Sequence, residues 1–104
     1  MDKIKIIVTD DHQLIREGLI KLLSLDDAIE IIGEADNGDR ALSLIKSKSP
    51  DVLLLDVNMP RMNGIETLQE LKNFEIIPKV LMLTAYDDRK HLKDAYIMAL
   101  MVIF

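Results

Sequence analysis

The chain contains no cysteine, which excludes disulfide scaffolds and thiolate metal sites. Long apolar runs are also missing. The longest, residues 52 to 55 and 95 to 104, are too short to cross a bilayer. Met1-Asp2-Lys3 carries no signal-peptide pattern, so the chain reads as cytoplasmic and not membrane-bound. No clustered basic surface is evident, and the net charge of -5 argues against direct DNA binding, which needs such a surface to neutralise phosphates. Repeats, linkers and low-complexity segments are absent too. What remains is one domain of 104 residues, 49% hydrophobic and 30% charged, a composition that folds around a single core.

Ile4, Ile6, Ile7 and Val8 form a β-branched run that empties into Thr9-Asp10-Asp11, the pattern of a buried strand meeting a polar loop. From 13 to 24, Ile15, Leu19, Leu22 and Leu23 recur at helical spacing, with Arg16, Glu17 and Lys21 opposite them. A second strand over 29 to 35 leads through Asp36-Asn37-Gly38 into a helix carrying Ala41, Leu42 and Ile45. Val52-Leu53-Leu54-Leu55 reads as a central parallel strand buried on both faces, and it too ends in a carboxylate, Asp56. A loop from 58 to 64 precedes a third helix marked by Ile65, Leu68 and Leu71, and 79 to 84 is a fourth strand ending at Thr84. A fourth helix is expected from 87 to 90 onward, carrying Leu92, Ala95 and Tyr96, and a last strand over 102 to 104.

Strands alternating with helices through short loops predict a parallel α/β sheet with right-handed crossovers and helices on both faces. Ligands in such sheets bind beyond the carboxyl ends of the strands. Asp10, Asp11, Asp56 and Thr84 are all placed there. Two carboxylates about 5 Å apart repel by about 3 kcal/mol at an effective dielectric of about 20, so three together call for a divalent cation. Oxygen ligands favour magnesium, manganese or calcium, and a site with few protein ligands leaves the watered positions that suit magnesium with phosphate. Asp56 is then a carboxylate nucleophile toward phosphorus, with Thr84 donating a hydrogen bond to a transferred oxygen.

Taken singly, each of these residues has a plainer reading. An aspartate at a strand end is usually a turn former or helix cap, and Asp10 or Asp11 is expected to cap the first helix in part. His12 and His91 read as solvent-facing, with nothing to mark them as metal ligands. Met59 and Met62 read as loop packing. Gly64 reads as relieving backbone strain before the third helix.

The motifs Ile7-Val8-Thr9-Asp10-Asp11-His12 and Arg16-Glu17-Gly18-Leu19, with the segment from Pro50-Asp51 through Asp56-Val57-Asn58-Met59-Pro60 to Asn63-Gly64, resemble the receiver domains of bacterial response regulators. The likeness is to the subfamily with a LuxR-type helix-turn-helix output domain, and it runs from Lys3 to about Met98. It implies a flavodoxin-like, doubly wound sheet with strand order 2-1-3-4-5. Receiver domains are among the examples behind the strand-end rule used above, so that placement of the site is not an independent success. By resemblance, Asp56 takes a phosphoryl group from a sensor histidine kinase. Asp11, Asp56 and the backbone carbonyl of Asn58 bind Mg2+ with Asp10 assisting, and Thr84 is the switch hydroxyl. The chain is then a signalling domain and not an enzyme in the ordinary sense. The rival expectations are a degenerate receiver acting as a non-switching interaction module, and a small phosphatase, which would want an aspartate where Asn58 stands.

The departure from the family comes at the end. Members continue with a Gly-Ala-Asp-Gly-Tyr type segment, a fifth strand, a site lysine and a fifth helix. Here residues 99 to 104 read Ala-Leu-Met-Val-Ile-Phe, so the lysine is expected to be absent, the fifth strand atypical and the fifth helix missing. Removing one G from ATG GGC GCT GAT GGT TAT ATT TTA A yields ATG GCG CTG ATG GTT ATA TTT TAA, which encodes Met-Ala-Leu-Met-Val-Ile-Phe-stop. Residues 99 to 104 are therefore expected to be a frameshifted tail on a truncated domain. The sheet face left bare predicts a homodimer or swapped oligomer.

Overall fold

In the computed structural model, which describes residues 2–56, 59, 62–86 and 96–102, with backbone alone for 83–86 and 96–102, strands and helices alternate. The order is β1 (Ile4–Thr9), α1 (Gln13–Leu23), β2 (Ile29–Ala35), α2 (Gly38–Lys48), β3 (Val52–Asp56), α3 (Gly64–Leu71), β4 (Lys79–Tyr86) and β5 (Tyr96–Val102). They build a single sheet in the order β2-β1-β3-β4-β5. The first four strands are parallel, as expected for β-branched and leucine-rich runs separated by helical crossovers.

The fifth strand departs from expectation. It begins at Tyr96, not Val102, and pairs antiparallel with β4, from Tyr86↔Tyr96 to Val80↔Val102. A parallel return needs a crossover of about a dozen residues or more, and residues 87 to 95 are too few, so the chain comes back against β4. The expected fourth helix falls outside the described residues, except Tyr96, which is in β5.

The local sequence explains where the helices start and stop. Asn37 caps α2 by accepting from the Arg40 N–H, and Ser49 closes that helix in the left-handed region at φ 47 before Pro50. At the start of α3, the Asn63 side chain accepts from the Glu66 N–H while the Glu66 carboxylate accepts from the Asn63 N–H, a reciprocal cap. No glycine among the described residues has a positive φ, so Gly64 is not relieving strain; it is buried as the first residue of α3. Space demands a glycine at Gly38, where a Cβ would meet Thr67 Oγ1 and come within 2.8 Å of Met62 Cγ. There the N-termini of α2 and α3 approach each other.

The sheet divides the core in two. On one face Ile7, Leu53, Leu55 and Val80 are sealed beneath Ala41, Leu44 and Ile45 of α2 and Leu71 of α3, with Met59 joining them. On the other face the buried apolar residues among those described are Ile6, Val8 and Leu54, packed by Leu19, Ile20 and Leu23 of α1. Leu22, expected in the buried stripe of α1, is 67% exposed, and Ile20 takes its place. No helix among the described residues is long and apolar enough to cross a membrane.

Candidate functional site

The polar residues at the ends of β1 and β3 meet because those strands are neighbours in register. Thr9 pairs with Leu55, so the residues that follow, Asp10 and Asp56, emerge side by side. Both are buried, with 4% and 6% of their surface exposed. One donor atom from each of Asp10, Asp11, His12 and Asp56 lies within 4.8 Å of the others. Leu83 pairs with Asp56 in β4, which places the Thr84 backbone one position further along the adjacent strand. Asn58 lies outside the described residues.

Hydrogen bonds fix the cluster from beneath. Asp10 Oδ1 accepts the His12 N–H at 2.8 Å, tying the loop into a tight turn. Neither Asp10 nor Asp11 caps α1 in the expected way: the cap position belongs to His12, whose side chain makes no capping bond. Arg16, assigned to the solvent side by its spacing, is instead largely covered, its Nε paired with Glu34 Oε1 at 3.1 Å. Its Nη1 donates to the Asp10 carbonyl at 2.7 Å. One guanidinium thus braces the end of β1 against β2 and α1, a role its rigid fork of donors suits.

His12 is solvent-facing as expected, but it is not without neighbours. Its ring is 64% exposed, as expected, yet Nδ1 lies 3.0 Å from Asp11 Oδ1 and 3.4 Å from Asp10 Oδ1. The signal was its direct adjacency to two site carboxylates.

The fit of a metal is tested by Asp11. Its side chain is 23% exposed, but Oδ1 itself is closed to solvent and accepts no hydrogen bond among the described residues. The nearby His12 nitrogen supplies proximity without a directed bond. A sealed carboxylate oxygen carries a desolvation cost, and a cation bound among Asp10, Asp11 and Asp56 would offset it. Oxygen donors of this kind match a hard divalent ion.

Comparison with known proteins agrees with this geometry. The family model of the response regulator receiver domain matches residues 6–103. The chain belongs to the response regulator receiver family. The transcriptional regulatory protein NarL of Mycobacterium tuberculosis is 42% identical over 87 residues, which are 84% of this chain and 40% of that protein. The receiver domain structure of M. tuberculosis NarL superposes with a TM-score of 0.78 at 41% identity, covering 86% of this chain and 73% of that one. A LuxR-family DNA-binding response regulator from Staphylococcus aureus gives 0.73 at 30% identity, covering 86% and 74%. This receiver domain therefore spans about two fifths of the length of the curated relative it matches. The receiver assignment holds, and of the expected order 2-1-3-4-5 the first four strands, 2-1-3-4, hold as well.

Proposed function

We propose that this receiver domain accepts a phosphoryl group on Asp56 from the phosphohistidine of a sensor histidine kinase, in the cytoplasm, as the input half of a transcriptional regulator. A carboxylate oxygen of Asp56 attacks phosphorus, the P–N bond to the kinase imidazole breaks, and the electron pair leaves with that nitrogen. Asp11, Asp56 and the Asn58 carbonyl hold Mg2+, with Asp10 assisting. Bound Mg2+ neutralises charge developing on the transferred oxygens. Thr84, one register position beyond Asp56 on the neighbouring strand, is the hydroxyl that senses the new group. The observation that carries this reading is the convergence of Asp10, Asp11 and Asp56 within 4.8 Å, at the edge where an acceptor needs a counter-cation.

The test is incubation of the chain with acetyl phosphate and Mg2+, followed by intact mass. A phosphoryl adduct is expected on the native chain, lost in Asp56→Asn and when Mg2+ is chelated. An adduct that persists in Asp56→Asn overturns the assignment of the acceptor. No adduct on the native chain would leave the domain as a non-switching interaction module.

A further inference from the structure

The acceptor chemistry gives His12 nothing to do, yet its imidazole is one of the four donors in the cluster. Its separations from the carboxylates are informative. Ligands held about 2.1 Å from one ion stand about 3.0 Å apart when adjacent in an octahedron and about 3.4 Å apart in a tetrahedron. His12 Nδ1 is 3.0 Å from Asp11 Oδ1 and 3.4 Å from Asp10 Oδ1, ion-pair distances that also match the spacings of neighbouring ligands. The widest gap in the set is up to 4.8 Å, against a span of about 4.2 Å for opposed ligands.

The main chain that carries the ring is held in place. The His12 N–H is bonded to Asp10 Oδ1 at 2.8 Å, and the residue is fixed in extended backbone at the start of α1. The ring is 64% exposed, and the sealed Asp11 Oδ1 that lies 3.0 Å from Nδ1 accepts no hydrogen bond among the described residues. Imidazole nitrogen binds cobalt, nickel and zinc well, whereas Mg2+ takes oxygen ligands and keeps its waters.

We propose that His12 Nδ1 is a ligand of the acidic site and biases it toward first-row transition ions over Mg2+. The inference rests on the reading of Asp10, Asp11 and Asp56 as a divalent-cation site. It is tested on the untagged full chain by calorimetric titration with Mg2+, Co2+ and Ni2+, and by spin-echo spectroscopy of the Mn2+ form for nitrogen coupling. The variants are His12→Ala, Asp11→Asn and, as control for the chain's other histidine, His91→Ala. His12→Ala is expected to weaken Co2+ and Ni2+ binding at least about tenfold, the least that losing a group that merely orients a ligand costs. It should leave Mg2+ affinity unchanged and abolish the nitrogen coupling, while His91→Ala changes none of these. Ni2+ affinity and coupling retained in His12→Ala, or an equal loss for Mg2+, overturns the role of His12 and leaves the acidic site standing. If the native chain binds no divalent ion, or Asp11→Asn binds as well as the native chain, the acidic site itself fails and the proposal with it.

Discussion

On the α2 and α3 side of the sheet, Leu53 is fully sealed among side chains from two helices and four strands. On the α1 side its neighbour Leu54 is 4% exposed, in a cluster with only two other buried residues. The residues around that second cluster, Ile31, Val52 and Leu81 among them, are only partly buried. Two adjacent leucines on one strand thus face interiors of different kinds. Burial percentages barely separate them; what differs is how many surrounding groups are themselves immobile, and therefore whether a cavity left behind can collapse. The thinner face has α1 as its one covering helix among the described residues.

The sharpest way to break that comparison is to truncate both leucines. Leu53→Ala is expected to cost about 4 kcal/mol and Leu54→Ala about 2 kcal/mol, the upper and lower parts of the range for buried leucines. Urea unfolding with matched slopes would measure both. Equal costs would mean that the two faces are equally rigid.

The Asn63 cap tests whether the firm face depends on how α3 is seated. Asn63→Ala removes a side chain that accepts from the Glu66 N–H at 2.9 Å and leaves only the other half of the cap, the Asn63 backbone N–H donating to Glu66 Oε1. The expected loss is about 1 kcal/mol, read as a lower urea midpoint. Asn63→Asp keeps the acceptor and should recover most of that stability. If it does not, the cap is incidental to the seating of α3.

The same contrast between faces explains what could be read from the letters. Asp56 was legible because an unbroken apolar run, residues 52 to 55, ends in it, and a strand buried on both faces has to shed its charge at an end. Asp10 and Asp11 followed by the same logic, and the motif resemblance supplied the strand order. The direction of β5 was not legible, because pairing through the main chain can be satisfied by any extended apolar segment, and only the short connection decides which way it runs. Ala99, Leu100, Met101 and Val102 pair with β4 whether or not they arose by a frameshift. The contacts of Arg16 and His12 were missed for a different reason. Helical spacing assigns a side, but a long or ring-bearing side chain at the first turn of a helix can reach back to the strand end that precedes it. The Arg16 contact with the Asp10 carbonyl is such a reach.

The smallest effect is expected at Leu22, where the thinner face can be probed without cutting into it. Leu19 and Leu23 form the line along which α1 meets the sheet, and Ile20 and Leu22 lie on opposite flanks of that line, so periodicity alone does not choose between them. The structure covers Ile20 and leaves Leu22 67% exposed. Leu22→Lys should therefore change stability by no more than about 0.5 kcal/mol, whereas Ile20→Lys places a charge against Ile6, Val8 and Leu54 and should unfold a large fraction of the chain. If Leu22→Lys instead costs as much as Leu54→Ala in the same urea experiment, Leu22 is buried in solution. The α1 face would then have a cover beyond the described residues, and the difference between the two sides of the sheet would shrink accordingly.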